Sequence, residues 1–297
     1  MNKQNMISQS CPICGPNTPQ KLLYKKNFNL KQVTRKTFSA RRQPDRIHYR
    51  TVSCQNCGLV FANPIMSLNK INQLYYHSQF TYQNLIVDLQ HTYAKYLNKL
   101  KPYQLKKAKL LEIGCANGFL LSTAKKLGYH QVWGVEPSRQ AILKAPANIK
   151  KVIKNSNFNR RLFPKNSFDV ICSFHTFDHL NNPNQVLKDC SYLLKPQGLI
   201  LIIVHNVKSL QAKILKSHSP IIDIEHPYLY SPHTLKLLFE KNNYQVLKTG
   251  SVINRYPINY LIHLLPLPTF VKKNLSVLEQ KISLPLGNFF LIARRQS

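Results

Sequence analysis

The sequence predicts an α/β fold in which a mostly parallel sheet follows a small cysteine-rich module. Three observations carry this prediction: a strand that turns at a glycine into a helix within 109–121, strand and helix patterns that alternate up to residue 205, and two Cys-x-x-Cys pairs near the N-terminus. Alternating strands and helices build parallel sheets whose faces are covered by the helices. A chain of 297 residues is long enough for one such domain and a small appendage.

The stretch from Lys109 to Leu121 reads as a strand, a tight turn and the start of a helix. Its apolar first part suits a strand that is buried on both faces. Gly114 permits a backbone conformation that a Cβ would penalise, and Gly118 lets a ligand or the backbone approach closely. The following helix turns its unpaired N–H groups towards the space above the turn. We therefore expect a site for an anionic group, such as a carboxylate or a phosphate, at this turn.

The spacing of the glycines distinguishes between ligands. The pattern is G-x-x-x-G with Glu112 two residues before the first glycine, whereas a dinucleotide fingerprint reads G-x-G-x-x-G. A second strand, expected at 131–135, leads into Glu136, 18 residues beyond Gly118. A carboxylate at the tip of such a strand can accept hydrogen bonds from both hydroxyls of a ribose.

This combination resembles the class I S-adenosylmethionine (SAM)-dependent methyltransferases. Their E/D-x-G-C-x-x-G motif matches residues 112–118, and their acid after the second strand matches Glu136, while Ala116 stands where many members have another glycine. The resemblance implies a Rossmann-like class I methyltransferase sheet, mostly parallel with an antiparallel last strand, and SAM as cofactor. The residues that it places around SAM are Glu112, Gly114, Cys115, Gly118, Glu136, Pro137, Asn157, Phe158, Phe174 and His175.

Two of these positions follow the third strand, where the family places a group against adenine. Asn157 can accept a hydrogen bond from the exocyclic amine, and the Phe158 ring can stack on the base. A core aromatic without ligand contact is the alternative for Phe158.

Four of the seven cysteines form two pairs, Cys11 with Cys14 and Cys54 with Cys57. Two such turns complete a tetrahedral zinc site, which we expect to contribute folding energy rather than catalysis. Disulfides or redox-active thiols are the alternative.

The chain also resembles a methyltransferase branch that has an N-terminal two-knuckle zinc ribbon. The resemblance lies in the run Gly-Leu-Val-Phe-Ala-Asn-Pro at 58–64 and in the tyrosines Tyr75, Tyr76 and Tyr82.

We therefore predict a zinc-ribbon module at 1–65, a helical connector at 66–107 and a methyltransferase domain at 108–297, with a capping insertion at 251–288. Strands are expected at 109–113, 131–135, 151–154, 167–174, 199–204, 244–249 and 289–294. Helices are expected to begin at Leu68 and after Ser138 as N-cap, and to occupy 118–127, 184–194 and 232–242. A further helix is expected within 85–107, where Pro102 ends it. A turn is expected at 195–198.

Three histidines are candidate bases, His175 and His179 after the fourth strand and His226 beside Glu225, and Asp178 is a further candidate on the first of these loops. A sulfonium donor leaves as a neutral thioether, so the protein mainly aligns the acceptor with the methyl group. A base is needed only where the acceptor is a weak acid, such as a sugar hydroxyl or a carbon acid. A hydrogen-bonded structural side chain is the alternative for each histidine.

The acceptor is inferred from the family branch, which is associated with small molecules and with sugar or glycan acceptors for O- or C-methylation. The sequence Ser-Phe-His-Thr at 173–176 replaces the N-P-P-(F/Y) motif of nucleobase N-methyltransferases, which disfavours that reaction. An rRNA or tRNA methyltransferase that holds RNA with the basic ribbon is one alternative. A non-catalytic module that binds SAM or RNA is another.

The formal net charge of +31 arises from 42 basic and 11 acidic residues. It indicates either an anionic partner, such as RNA or an acidic membrane surface, or compositional drift, since lysines are scattered along the chain. The N-terminus is polar and no apolar run reaches 18 residues. We therefore expect a cytoplasmic protein without a transmembrane segment, in which the apolar stretch 251–288 leaves peripheral membrane contact open.

Overall fold

The computed structural model describes residues 6–39, 45–79, 81, 86–103, 108–258, 262, 280–285 and 287–296. Its strands are β1 Met6–Ile7, β2 Gln20–Tyr24, β3 Thr51–Cys54, β4 Val60–Ala62, β5 Ile65–Met66, β6 Lys109–Ile113, β7 Gln131–Glu136, β8 Ile153–Asn155, β9 Phe168–Phe174, β10 Leu194–His205, β11 Tyr228–Leu229, β12 Tyr244–Ser251, β13 Asn254–Pro257, β14 Lys281–Leu284 and β15 Asn288–Arg295. Its α-helices are α1 Leu68–Tyr76, α2 Ile86–Asn98, α3 Phe119–Lys126, α4 Arg139–Leu143, α5 Ala147–Lys150, α6 Pro183–Leu193, α7 Leu210–Leu215 and α8 Pro232–Lys241.

Seven strands form the central sheet in the order β12-β15-β10-β9-β6-β7-β8. Neighbours from β10 to β8 run parallel, and β15 is antiparallel to both β10 and β12. This confirms the predicted mostly parallel sheet with an antiparallel last strand. The chain leaves β6 towards β7 and later returns to its other side at β9, so the carboxyl end of β6 lies at a switch point where such sheets bind ligands.

Apolar layers cover both faces of the central sheet. On one face, Leu110, Leu201 and Ile203 pack with side chains of α2 and α3. On the other face, Leu111 and Ile202 pack with side chains of α6, α8 and the N-terminal strands β3 and β4. Strands buried on both faces explain the near-continuous apolar runs in the sequence.

The N-terminal cysteine module, which contains β1–β5, shares a sheet with a distant part of the chain. The order of this four-stranded sheet is β11-β4-β3-β2, and Tyr228 and Leu229 pair with Phe61 and Val60. The segment that follows His226 is therefore held by the cysteine module. No local signal in the sequence predicts this pairing.

Several elements begin or end one or more residues away from the expected bounds, and three of these differences have a clear local cause or position. The third strand lies at Ile153–Asn155 rather than 151–154, because α5 continues to Lys150. The fifth begins at Leu194 and includes the expected turn, where Gln197 has a φ of 62° and the register against β9 shifts. Helix α2 ends at Asn98, four residues before Pro102.

Most of the predicted capping insertion lies outside the described residues, as does Tyr82. Within it the structure describes β13 and β14, which pair antiparallel, and Ile262, which is buried. Six further apolar residues at the centre of the insertion, Tyr260, Leu261, Leu264, Leu265, Leu267 and Phe270, are not described. Among the described helices, none is both long enough and apolar enough to cross a bilayer.

Candidate active site

A cavity of about 500 Å³ lies at the carboxyl ends of the central strands, within the usual range of small-molecule sites. Its wall includes the three candidate histidines, His175, His179 and His226, whereas the fourth candidate, Asp178, is buried and does not line it. Of the ten residues expected around SAM, eight also line it: Glu112, Gly114, Glu136, Pro137, Asn157, Phe158, Phe174 and His175.

Cys115 and Gly118 do not line the cavity but shape the loop beneath it. Gly118 is the N-cap of α3 with a φ of 70°, and a Cβ there would collide with the Ile149 side chain. Cys115 is buried against Gly134, which has no room for a Cβ. Gly114 has a φ of 74°, and a Cβ on it would meet the Thr176 side chain, so only glycine allows the close approach of these two loops.

Glu136 lies at the end of β7 with its carboxylate turned towards the glycine loop. Its Oε2 accepts a hydrogen bond from the Ala116 amide at 2.9 Å, and its Oε1 accepts one from the Ser138 amide at 2.8 Å. Burial raises the pKa of Glu136 to about 7, although these two hydrogen bonds favour the ionised form. Each oxygen can accept a further hydrogen bond, as two ribose hydroxyls would require.

Glu112 is the second buried acid of this loop. Its Oε2 is buried and has no hydrogen-bond partner among the described residues. Burial, with the charge of Glu136 as a smaller cause, raises the pKa of Glu112 well above its ordinary value. An unsatisfied buried carboxylate oxygen is costly, and the ammonium group of an amino acid would satisfy it.

Aromatic rings line the same part of the cavity. Phe174 stacks on Tyr93 of α2 with ring centroids 4.6 Å apart and an interplanar angle of 12°. Phe158, after β8, is partly buried and packs against the core while its side chain also reaches the cavity. We call the part of the cavity formed by Glu112, Gly114, Ala116, Glu136, Pro137, Asn157 and Phe158 the cofactor half.

The rest of the cavity contains four imidazoles in a row, His175, His205, His226 and His179, which we call the histidine cluster. Successive ring centroids are 4.9, 4.8 and 4.6 Å apart. His205 ends β10 and is absent from the sequence-based candidates. Its position at the carboxyl end of a central strand is the signal that could have identified it.

Hydrogen bonds orient three of these rings. His205 Nδ1 and Asp178 Oδ2 are 2.7 Å apart, the Tyr75 hydroxyl and His179 Nδ1 are 2.9 Å apart, and His226 Nδ1 donates to the Ile221 carbonyl oxygen at 3.0 Å. We call the part of the cavity around His179, His205, His226 and Tyr75 the acceptor half. It joins α1, the loop after β9, the end of β10 and the loop before β11.

Burial and neighbouring charges set the protonation of this half. Burial alone would raise the pKa of Asp178, but the facing imidazoles, first His205, hold it well below the usual value. Burial lowers the pKa of His179, and burial with the nearby His179 and His205 lowers that of His226 much further. At neutral pH, Asp178 is therefore ionised, whereas His179 and His226 are neutral.

Residues 86–249 match a protein family described as "Methyltransferase domain". The chain belongs to this methyltransferase family. The match covers more than half of the chain and includes all of the cofactor half and the histidine cluster.

Relatives of this methyltransferase include two ubiquinone biosynthesis O-methyltransferases. The mitochondrial enzyme of Dictyostelium discoideum is 23% identical over 187 residues, which cover 52% of this chain and 58% of the relative. The enzyme of Pelagibacter ubique (strain HTCC1062) is 33% identical over 118 residues, which cover 38% and 46%. The chain thus spans about half the length of the curated relatives that it matches.

Solved structures show the same fold. A SAM-dependent methyltransferase from Archaeoglobus fulgidus aligns with a TM-score of 0.51 at 19% identity, over 72% of this chain and all of the other. A chain from the complex of the Haloferax volcanii Trm112 methyltransferase activator with a methyltransferase also aligns with a TM-score of 0.51, at 12% identity, over 72% and 95%. At these identities the alignments establish the class I methyltransferase fold alone.

The cavity of this methyltransferase is acidic, although the chain as a whole is strongly basic. Of the eleven acidic residues of the sequence, five that the structure describes line it: Asp88, Glu112, Glu136, Asp223 and Glu225. Among its described lining residues there is no lysine or arginine. Such a wall favours cationic ligands and disfavours phosphates.

The four paired cysteines lie together on the module that β11 joins. The Sγ atoms of Cys11, Cys14, Cys54 and Cys57 are all within 4.8 Å of one another, and those of Cys11 and Cys57 are 3.6 Å apart. Zinc at about 2.3 Å from each thiolate would separate the sulfurs by about 3.8 Å, so the donor set fits a structural zinc site. Lys241 Nζ donates to the Pro12 and Ile13 carbonyl oxygens at 2.8 and 2.7 Å, which ties the first cysteine turn to α8.

Proposed function

We propose that the protein transfers the methyl group of SAM to an oxygen atom of a small-molecule acceptor. The observation that carries this proposal is a single cavity in which the acids of the cofactor half face the histidine cluster. The relatives described as ubiquinone biosynthesis O-methyltransferases support oxygen as the acceptor atom. A phenol and a sugar hydroxyl both belong to this acceptor class.

In this proposal the cofactor half holds SAM by complementary polar groups. Glu136 accepts hydrogen bonds from the ribose hydroxyls, and the unsatisfied Oε2 of Glu112 takes the ammonium group. Asn157 and Phe158 flank the adenine, and Phe174 and His175 lie beside the methionine part. The sulfonium of SAM supplies an activated methyl group, and the acidic wall favours its positive charge.

The acceptor half then aligns the hydroxyl and removes its proton. The acceptor oxygen forms a bond to the methyl carbon as the bond from carbon to sulfur breaks, and the hydroxyl proton goes to an imidazole. We assign that role to His179, because its Nδ1 is held by Tyr75 and its pKa is lowered less severely than that of His226. When Nδ1 donates to the Tyr75 hydroxyl, Nε2 keeps the lone pair that accepts the proton.

We propose zinc as the ligand of the four paired cysteines, with a structural role. Such a site is closed by four protein ligands and contributes free energy of folding. The module that it stabilises packs against α1, which carries Tyr75, and pairs with β11, which begins two residues after His226. Zinc would therefore act on the acceptor half from outside the cavity.

The test has two steps on the same zinc-loaded protein. Calorimetry with S-adenosylhomocysteine measures cofactor binding, and SAM carrying a labelled methyl group is then offered with separate panels of phenols, sugar nucleotides and tRNA. The proposal expects binding and transfer to a hydroxyl in the first or second panel. Absence of binding, or transfer to tRNA alone, would overturn it. Transfer that depends on salt as steeply as phosphate contacts do would favour the RNA alternative.

A further inference from the structure

Three potential metal ligands converge at the acceptor half: His205 and His226 line the cavity, and Asp178 is buried beside them without lining it. Asp178, His205 and His226 each offer one ligand atom, and the three atoms lie within 4.8 Å of one another. They come from the turn after β9, the end of β10 and the loop before β11. Two imidazoles and one carboxylate form a donor set that suits divalent first-row transition metals, and three protein ligands leave positions open for a substrate.

The buried Asp178 carboxylate has unused capacity to bind a cation. Asp178 is 1% exposed, and its Oδ1 has no hydrogen-bond partner among the described residues. Its Oδ2 faces His205 Nδ1 at 2.7 Å. Neighbouring ligands of one metal ion lie about 3 Å apart, so an ion can replace the proton that these two atoms share with little movement of either side chain.

The orientation of His226 fits the same arrangement. Its Nδ1 donates to the Ile221 carbonyl oxygen at 3.0 Å, so Nε2 is the nitrogen that carries the free lone pair. Metal-bound histidines in proteins characteristically donate their other ring N–H to a carbonyl or carboxylate oxygen in this way. The surrounding wall contains Asp223 and Glu225 and, among the described lining residues, neither lysine nor arginine.

We propose that Asp178, His205 and His226 bind a divalent first-row transition metal ion that holds the acceptor oxygen beside the methyl group of SAM. This role rests on the proposed methyl transfer, whereas metal binding itself does not. The acceptor hydroxyl occupies an open position on the ion, loses its proton to His179, and attacks the methyl carbon as an anionic oxygen. The bond to sulfur breaks with its electron pair on sulfur, and the ion neutralises the oxygen until the new bond to carbon forms.

The acceptor class follows from this arrangement. Open positions at a three-ligand site accept two oxygens from one molecule, so acceptors with adjacent hydroxyls, such as catechols or vicinal sugar diols, bind more tightly than their singly hydroxylated analogues. The imidazole of His179, whose ring centroid is 4.6 Å from that of His226, is close enough to take the proton from the bound oxygen.

Cobalt(II) titration of the zinc-loaded protein tests metal binding directly, because Co²⁺ ligated by nitrogen and oxygen lacks the intense thiolate charge-transfer bands of a cysteine site. We expect one further equivalent of Co²⁺ to bind to the wild type and to His130→Ala, an exposed histidine outside the cavity. Asp178→Asn and His226→Ala should each bind it at least about 100-fold more weakly, since loss of even a supporting partner costs 10- to 100-fold in metal affinity. Calorimetry with S-adenosylhomocysteine on the same samples checks that each variant is folded.

The two proposals fail in different ways. If no further Co²⁺ binds, or if it binds equally well to Asp178→Asn, the metal site is overturned. Methyl transfer that keeps its full rate after this second ion has been removed overturns the proposed role of the ion, while it supports the proposed function. Co²⁺ binding that Asp178→Asn abolishes, in a protein that transfers no methyl group, supports the metal site and overturns only its proposed role.

Discussion

The two halves of the cavity are built in different ways. The cofactor half comes from one continuous stretch, residues 112–158, in which two backbone N–H groups position Glu136 and Gly114 and Gly118 have left-handed backbone conformations. The acceptor half is assembled from segments that are far apart in the sequence, and its side chains position one another. Tyr75 and His179 are separated by 104 residues, and Asp178 and His205 by 27.

This difference separates two requirements of methyl transfer. The cofactor is the same in every turnover, so a local backbone frame can fix its position once. The acceptor is the variable partner, and side chains from several loops can change without disturbing that frame. The comparison predicts that changes in the acceptor half alter the rate and spare SAM affinity, whereas changes in the cofactor half do the reverse.

The largest expected effect separates the halves most clearly. His179→Ala should lower the methyl-transfer rate by about 10²- to 10⁴-fold, because it removes the proposed proton acceptor. Its affinity for S-adenosylhomocysteine should change little, because His179 belongs to the acceptor half. His130→Ala, at an exposed position, is the matched control. A weakened cofactor affinity in His179→Ala would show that the two halves are not independent.

A change outside the cavity tests how the acceptor half is supported. Cys54→Ser removes one proposed zinc ligand, and the resulting shift of the cysteine module should displace Tyr75 and the segment of His226. Misplacement of about 1 Å costs about 10²-fold in rate, so we expect a loss of that size with cofactor affinity retained. Zinc content and rate are measured together, with Cys190→Ala as the control for a buried thiol outside the cluster. Loss of zinc with the full rate retained would contradict the proposed link between the cysteine module and the acceptor half.

A third change, in the cofactor half, should lower cofactor affinity and leave the rate unchanged. Glu136→Gln keeps the shape of the side chain but removes its charge, which costs about 1.5–3 kcal/mol per charge-assisted hydrogen bond. Cofactor affinity should therefore fall roughly 10- to 100-fold, while the rate at saturating SAM stays near that of the wild type. Calorimetry on this variant and on Glu240→Gln, an exposed acid paired with Lys236 at 3.7 Å, checks both statements. A lower rate at saturating SAM with normal cofactor affinity would contradict the assignment of Glu136 to cofactor binding.

The same contrast explains what the sequence could predict. The central strands and the glycine turn are encoded locally by apolar runs and by Gly114 and Gly118, and eight of the ten expected cofactor residues line one cavity. The partners of Asp178 and Tyr75 depend on which loops the sheet brings together, so no spacing in the sequence indicates them. The pairing of β11 with β4 spans more than 160 residues and is invisible for the same reason.

The smallest expected effect is the pH dependence of cofactor affinity. Burial raises the pKa of Glu136 to about 7, and ribose hydroxyls that donate to the carboxylate favour its ionised form. Binding therefore lowers this pKa and releases protons below pH 7, so affinity should rise about tenfold from pH 6 to pH 8 and level off above that range. Burial likewise raises the pKa of Glu112, which adds to the slope in the same direction.

Glu136→Gln isolates the part of the slope that belongs to Glu136, because the amide does not titrate. Calorimetry of S-adenosylhomocysteine binding at several pH values should give a steeper rise for the wild type than for this variant. His179→Ala should keep the wild-type slope, since its imidazole belongs to the acceptor half. An affinity that falls as the pH rises would mean that the protonated acid donates to the ligand, which would reverse the proposed role of Glu136 as the acceptor of the ribose hydroxyls.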